Sequence, residues 1–410
     1  MTTTRSPADA PERQLALLLV GTRALRERNR ARIDELSARV DYDALAAFLC
    51  RSSMLSLIGR RLLELGDAPP SRFAEAVTCY GARAHRQAVG QALVTTRALG
   101  ALAEADIRAL PLKGPLLSER IYGELDARVS ADIDLLLSRA DLPRAMASLE
   151  CIGYRSPFAG DMRRRPPEVH EVLRSAAGLP PIELHWRLHW YDEHFGAELL
   201  RRATPDNDGH LRPTPAYELA ALLLAYAREG FAGLRQLADL TTWWDRFADA
   251  VTPAELDELI DGDPSIARPL ATAAAIAQRL GGLPAERLLA PEVRARASRG
   301  AARLSNWPLR GPYPQIGANV ALADWFLAAP GQRRALFGRH LWLSEEVLSL
   351  RRRETGPQPL RLSPGRVLQL RMLHLVRICG RYAIALPRIC TRAGWAPAPA
   401  WLDGTVGEGA

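Results

Sequence analysis

The chain has 410 residues, 48% of them hydrophobic and 24% charged, with a formal net charge of +8 and a pI near 9.6. This composition is typical of a globular protein, and the basic charge would tolerate an anionic partner such as a nucleotide or RNA without requiring one. No run approaches the roughly 18 uncharged apolar residues that span a bilayer, and the first residues lack the apolar core of a secretory signal, so we expect a cytoplasmic protein. The five cysteines are scattered without a CxxC pair, which argues against a zinc module and against a disulfide framework.

The pattern of the N-terminal quarter of the chain predicts helices. Residues 1–12 are polar and contain proline, and we expect them to be disordered. Within 13–106, the stretch QLALLLVGTRALRERNRARIDELSARV has apolar residues at helical spacing, weakened in its middle by Gly21. The next stretch, DYDALAAFLCRSSMLSLIGRRLLELG, begins with a capping aspartate, Asp41. Residues 70–106 then predict one long Ala-rich helix or a pair of helices.

Residues 107–200 have a mixed α/β pattern. IRALPL (Ile107–Leu112) predicts a short strand, and PLLSERIYG predicts a helix with Pro115 in its first turn and Gly123 at its end. ADIDLLL predicts a strand, and ADLPRAMASLECIG a short amphipathic helix. EVHEVLRSA and PIELHWRLHW predict two more strands, joined by the turn-forming AGLPP.

Helical patterns return in the second half of the chain. We expect a helical domain over 210–300 and an Arg-rich helical region with a loose tail over 301–410. Within the latter, GRVLQLRMLHLVRICGRYAIALPRIC predicts a basic amphipathic helix that could dock on a membrane, on a partner or on its own core. The expected fold class is α+β, with a small mixed-sheet core between extensive N- and C-terminal helical segments.

Two aspartates stand one residue apart in the predicted strand ADIDLLL. Residues two apart in a strand point to the same face, so Asp132 and Asp134 project together while Ile133 and Leu135 face the core. Neighbouring carboxylates repel each other and resist desolvation, which a divalent cation would offset. The alternative is a strand end where both aspartates are solvated or paired with arginine.

A lysine and a glycine stand at the preceding strand-to-helix turn. Among 54 lysines and arginines Lys113 is the only lysine, and a compact ammonium fits a narrow phosphate pocket better than a guanidinium does. Gly114 would let the backbone approach a phosphate, and the helix N-terminus that follows binds anions. The alternative is the chance survival of one lysine.

A third acid, Glu183, lies in the predicted strand PIELHWRL on the same face as His185 and Arg187. With the two aspartates it would form a three-carboxylate site suited to phosphoryl transfer assisted by two metals about 3.5–4 Å apart. The alternative for Glu183 is an ion pair with an arginine on an exposed face. His185 is either a neighbour of that site or a hydrogen-bonded structural histidine. Its i,i+4 spacing to His189 does not indicate zinc, because a strand separates such residues by about 13 Å.

These motifs together resemble the polymerase β-like nucleotidyltransferase superfamily. More closely, LPLKGPLLSERIYGELDARVSADIDLLL followed by IELHWRL and GLRQLADLTTWWDR is similar to a bacterial family labelled uncharacterised nucleotidyltransferases, over residues 70–250. One departure is that Lys113–Gly114 stands where the superfamily usually has Gly-Ser.

The resemblance implies Mg²⁺-dependent transfer of an NMP from ATP or another NTP to a hydroxyl or phosphate acceptor. It implies that Asp132 and Asp134 bind the metals, that Glu183 is the third ligand and a candidate base, and that Lys113 and Gly114 cradle the triphosphate. The remaining candidates for the nucleotide side of the site are Arg128, Ser130, His185, Arg235 and Asp239. Arg128 could instead neutralise a carboxylate, and Arg235 and Asp239, four apart on a helix, could pair with each other.

The acceptor is the least specified part of the reaction. The resemblance suggests a small molecule or a modified peptide in bacterial natural-product biosynthesis. An RNA- or tRNA-directed, toxin-like transferase is permitted by the basic pI. A third possibility is a catalytically silent binding or scaffold protein with the same fold.

Overall fold

The computed structural model describes residues 10–66, 69–156, 169–189, 191–231, 233–302, 316–341 and 363–390. Most of the segment expected to be disordered at the N-terminus lies outside these ranges, and the first helix begins at Pro11. The expected loose C-terminal tail after Cys390 also lies outside them.

The N-terminal region is helical, as predicted, and its first stretch forms three helices, with the first break at Gly21, where the helical pattern is weak. The chain leaves the first helix at Gly21, and the Thr22 hydroxyl accepts a hydrogen bond from the Leu25 N–H to start the second. A polar cap directly after a glycine ends one helix and begins the next. Asp41 caps its helix as predicted, and the Ala-rich stretch is a single helix of 34 residues. The helices are α1 (Pro11–Val20), α2 (Arg23–Arg28), α3 (Arg30–Ser37), α4 (Tyr42–Arg51), α5 (Leu55–Glu64) and α6 (Ser71–Glu104).

The middle of the chain forms a five-stranded mixed sheet with the order β1-β2-β5-β4-β3. Only the β2–β5 pair is parallel, and the other neighbouring pairs are antiparallel. The predicted strands are confirmed, although the last is shorter than expected and ends at His185. The elements are β1 (Ala109–Pro111), α7 (Pro115–Tyr122), β2 (Ile133–Leu137), α8 (Leu142–Glu150), β3 (Tyr154–Arg155), β4 (His170–Ser175), β5 (Ile182–His185) and α9 (Phe195–Arg202).

A small hairpin and a second set of helices complete the described chain. The predicted basic helix forms the last of them, and no helix among the described residues is long and apolar enough to cross a membrane. The elements are β6 (Thr204–Pro205), β7 (Leu211–Arg212), α10 (Pro215–Arg228), α11 (Leu234–Phe247), α12 (Pro253–Gly262), α13 (Ala267–Gly281), α14 (Pro291–Arg294), α15 (Arg299–Ala302), α16 (Ile316–Leu327), α17 (Pro330–Leu341) and α18 (Pro364–Cys390).

Alternation along β2 divides its side chains between two hydrophobic clusters. Ile133 and Leu135 pack in a cluster with residues of α6 and α8, as predicted. Leu136 packs in the larger cluster built from the helical regions. Because alternate residues of a strand face opposite ways, Asp134 lies on the same face as Leu136. The carboxylate of Asp134 is thus directed away from the smaller cluster and toward the helical half of the molecule.

Candidate active site

Three carboxylates converge where β2 and β5 lie side by side. In this parallel pair the backbone of Asp134 is the register partner of Glu183, and Asp132 stands just before β2, one position outside the strand in which we expected it. Oxygen atoms of Asp132, Asp134 and Glu183 all lie within 4.8 Å of one another. The sheet register therefore brings together the three acids that the sequence suggested as one site.

The loop that carries Asp132 is fixed by the long helix α6. The Gln91 side chain donates to the backbone oxygen of Asp132, and the Gln87 side chain donates to the backbone oxygen of Ser130 at 2.8 Å. Ser130 in turn donates its hydroxyl to Asp132 Oδ1 at 2.9 Å. The structure thus places Ser130 against the carboxylate of Asp132, where it orients that side chain.

Lys113 contacts the carboxylates directly. Its Nζ lies 3.1 Å from Asp134 Oδ1 and 3.5 Å from Asp132 Oδ2. The adjacent Leu112 N–H donates to the backbone oxygen of Asp134 at 3.0 Å, which continues the β1–β2 ladder as far as the turn. The only lysine of the chain is therefore held between two of the three acids.

Gly114 has a backbone conformation that other residues avoid. Its φ of +92° and ψ of −156° fall in a region that is essentially restricted to glycine. An added Cβ would meet no atom within 4 Å, so the requirement comes from the backbone and not from lack of space. α7 starts at the next residue, and the free N–H groups of its first turn lie directly after the lysine.

Asp134 is a buried, ionised carboxylate, and only one of its two oxygens is hydrogen-bonded among the described residues. It is 1% exposed, and its Oδ1 accepts a hydrogen bond from His185 Nε2 at 2.9 Å. Burial on its own raises the pKa of the Asp134 carboxyl, but Lys113 and His185 outweigh burial and hold that pKa well below its usual range. Its Oδ2 has no hydrogen-bond partner among the described residues. An oxygen-only donor set with an unpaired buried oxygen fits a hard divalent cation such as Mg²⁺.

Two histidines flank Glu183. His185 Nε2 lies 3.3 Å from Glu183 Oε2. Burial raises the pKa of the Glu183 carboxyl, but the two histidines lower it more, so this pKa lies below its usual value. His170 on β4 is the register partner of His185, and burial together with His185 lowers the pKa of His170 to about 4. We did not single out His170 from the sequence. The available signal was its place at the start of a predicted strand next to PIELHWRL.

Arg128, Arg235 and Asp239 connect α11 to the loop before β2. Arg128 Nε donates to Asp239 Oδ2 at 2.7 Å, and both side chains are almost fully buried. Tyr122 donates its hydroxyl to the other oxygen of Asp239 at 2.8 Å. Arg235 donates to the backbone oxygen of Val129 at 2.8 Å. Arg235 and Asp239 therefore do not pair with each other. Arg128 neutralises the carboxylate of Asp239, which is the alternative role that the sequence left open for this arginine.

Two cavities adjoin the carboxylates. A cavity of about 80 Å³ is lined by Lys113, Asp134, leucine and alanine side chains and Arg228. Another, of about 460 Å³, is lined by Ser130 and Ala131, the residues just before Asp132, together with the side chains of Tyr80, Arg83 and Arg235.

Two other histidines have structural explanations. His189 lies beyond the end of β5, where its ring stacks on Tyr191 with centroids 3.7 Å apart, so it forms no pair with His185. His210 belongs to the turn between β6 and β7. There Asp206 accepts hydrogen bonds from two backbone N–H groups, including that of His210, and also pairs with Arg212 at 2.7 Å.

A mixed sheet that carries three convergent acids beside a glycine turn is the arrangement expected of a nucleotidyltransferase. Comparison with protein families supports this class, because the family described as "Uncharacterised nucleotidyltransferase" matches residues 38–282. That range is more than half of the chain and contains every site residue named above. The chain belongs to this family, and it is a nucleotidyltransferase with an NTP as substrate. Searches of curated proteins and of solved structures found no match.

Proposed function

We propose that this protein uses Mg²⁺ to transfer an NMP from an NTP to a hydroxyl or phosphate group of a small molecule or modified peptide, in natural-product biosynthesis. The observation that carries this proposal is the cluster of Asp132, Asp134 and Glu183, whose oxygens lie within 4.8 Å of one another. Three carboxylates against one lysine leave an excess of negative charge, which divalent cations and their phosphate ligands would balance.

The three carboxylates are the residues that would hold Mg²⁺. When bound, the ion supplies a Lewis acid that neutralises charge on the phosphate oxygens. Lys113 already contacts two of the three acids, and its flexible stem lets the ammonium turn toward a phosphate beside the first turn of α7. Gly114 keeps the backbone at that turn in the conformation that starts the helix.

Glu183 is suited to the acceptor side of the reaction. Its pKa is lowered, so it is a carboxylate at neutral pH, and its side chain is 18% exposed. It can therefore accept a hydrogen bond from an acceptor hydroxyl and orient that hydroxyl for attack. A phosphate acceptor is already ionised and would need no base.

The cavities support a small acceptor. The site has a narrow cavity beside Lys113 and Asp134 and a wider one beside Ser130 and Ala131. A reaction between two substrates needs two places next to the transferred group, and the wider cavity, at about 460 Å³, is of the size that holds a small molecule or a peptide side chain. Arg83 and Arg235, which line the wider cavity without an acidic neighbour in its lining, favour an anionic group there.

The test is incubation of the protein with labelled ATP, GTP, CTP or UTP, Mg²⁺ and cell extract, with measurement of label transfer and diphosphate release. We expect Asp132→Asn to abolish both signals without unfolding the protein, because Asp132 is partly exposed and the substitution removes a charge, not a packed side chain. The matched control is Asp208→Asn, the same substitution at an exposed turn residue, which should leave transfer unchanged.

Retained transfer in the Asp132→Asn variant would contradict the proposed site. Absence of binding to all four NTPs with Mg²⁺, measured by calorimetry on the unmodified protein, would instead favour a silent scaffold.

A further inference from the structure

A second group of metal-binding atoms adjoins the three carboxylates. His170, Glu183 and His185 offer one ligand atom each, all within 4.8 Å of one another. The sheet enforces this grouping, because His170 is the register partner of His185 across the β4–β5 pair. The two rings lie with their centroids 4.8 Å apart.

The distances between these atoms are close to those of ligands around one ion. His185 Nε2 lies 3.3 Å from Glu183 Oε2 and 2.9 Å from Asp134 Oδ1. His170 Nε2 lies 3.7 Å from Glu183 Oε2, which is too long for a hydrogen bond. Metal–ligand bonds of about 2.0–2.2 Å place neighbouring ligand atoms about 2.8–3.6 Å apart, so a small inward movement of His170 would complete the set.

A buried oxygen without a partner also marks this place. Asp134 is 1% exposed, yet its Oδ2 has no hydrogen-bond partner among the described residues. Buried polar atoms that remain unpaired are costly, and in native proteins they call for a ligand or a functional explanation.

We propose that His170, His185 and Glu183, with Asp134 as a fourth ligand, form an adjoining site for a first-row transition-metal ion such as Mn²⁺, Co²⁺ or Zn²⁺. Imidazole nitrogen binds these ions well and Mg²⁺ poorly, whereas the oxygen-only group suits Mg²⁺. Nε2 of each imidazole would donate its lone pair to the ion.

This inference rests on the proposed function only in that Glu183 and Asp134 serve both groups. A metal on the histidine side would hold these carboxylates in place for the neighbouring Mg²⁺ site. The ion can enter from solvent, because the His170 side chain is 25% exposed at this edge of the site.

The test is a titration of the full-length, chelator-treated protein with Co²⁺, followed by visible absorption, in the presence of about a hundredfold excess of Mg²⁺. We expect one Co²⁺ per chain with the spectrum of nitrogen-ligated cobalt, because Mg²⁺ does not compete well for imidazole. His170→Gln should weaken Co²⁺ binding at least about tenfold.

The matched control is the same substitution at His85, which is exposed on α6, so His85→Gln should leave Co²⁺ affinity within about twofold of the unmodified protein. His210→Gln tests a third group of possible ligand atoms, which His210 forms with Asp206 and Asp208 at the β6–β7 turn. Loss of binding in His210→Gln but not in His170→Gln would overturn the assignment.

A crystal grown with Co²⁺ tests the site without any substitution. The anomalous signal should lie between His170, His185 and Glu183. A signal only among Asp132, Asp134 and Glu183, or none near the sheet, would overturn the proposal even if His170→Gln failed to fold.

The two proposals fail separately. Label transfer that needs only Mg²⁺, combined with no cobalt at the histidines, would leave the proposed function intact and end this inference. Cobalt bound at the histidines, without label transfer from any NTP, would leave this inference intact and contradict the proposed function.

Discussion

At the residue scale, Lys113 is held by chemistry that an arginine would not reproduce. Its Nζ lies within 3.5 Å of two carboxylates that are two residues apart. A point-like ammonium can sit between both acids, whereas a planar guanidinium prefers one carboxylate in a two-bonded fork. The only lysine of the chain therefore lies at a position where an arginine would not make the same contacts.

We expect Lys113→Arg to lower kcat/KM for the NTP by about 100-fold, because the larger cation displaces the carboxylates and the phosphates by about an ångström. The measurement is diphosphate release under the conditions of the labelling assay. The control is Arg97→Lys, an exchange of the same two residue types at an exposed position of α6, which should change kcat/KM by less than about twofold. Full activity in the Lys113→Arg variant would show that the identity of this cation does not matter.

At the element scale, the site depends on helices that are distant in sequence from the sheet. α6 holds the loop of Asp132 through Gln87 and Gln91. α11 holds the same loop through the buried pair of Arg128 and Asp239. Burial lowers the pKa of Arg128, but the Asp239 carboxylate outweighs burial and raises it overall. Two helices, one before and one after the sheet in the sequence, therefore hold the loop that carries Asp132.

We expect Asp239→Asn to destabilise the protein by about 3–5 kcal/mol, because it leaves the buried Arg128 charge without its partner. The measurement is the free energy of unfolding in urea. Asp249→Asn, at an exposed position just after α11, serves as control and should cost less than about 0.5 kcal/mol.

Replacement of both partners, as Arg128→Met with Asp239→Leu, should recover part of that loss, since no unpaired charge remains. A cost below about 1 kcal/mol for Asp239→Asn would show that the pair does not hold α11 to the loop.

At the scale of the whole molecule, the region outside the family match still contacts the core. Asp324 on α16 accepts a hydrogen bond from the Tyr191 hydroxyl at 2.9 Å and lies 3.3 Å from His189 Nε2. Both partners follow β5 closely in sequence. Helix α16 is thus joined to the segment that directly follows β5.

The net charge of +8 permits electrostatic binding of RNA, but a small acceptor predicts that RNA is not needed. We expect label transfer to persist after the cell extract is treated with ribonuclease, and to persist in the filtrate that retains only small molecules. Loss of transfer after ribonuclease treatment would support the RNA-directed alternative. In that case binding should weaken steeply as salt is raised, because each phosphate contact releases counterions.

Much of the core was predictable because its signals are local. The helix α7 has proline at its start and Gly123, in the left-handed conformation, at its end, and both effects come from the backbone of single residues. Alternation along the strand predicted that Asp132 and Asp134 share a face, whereas the β2–β5 register brings Glu183 to them. The sequence left open whether α6 is one helix or two and whether the chain breaks at Gly21, since packing decides whether a helix continues through a weak position.

The sequence by itself determined most of the helices and strands and the shared face of Asp132 and Asp134, because each depends on a few neighbouring residues. Only the tertiary structure decided the partners. It placed His170 beside His185 through an antiparallel register, and it paired Asp239 with Arg128 across the molecule. Such contacts join residues far apart in the chain, and the free energy that selects them comes from burial and register, which no local pattern specifies.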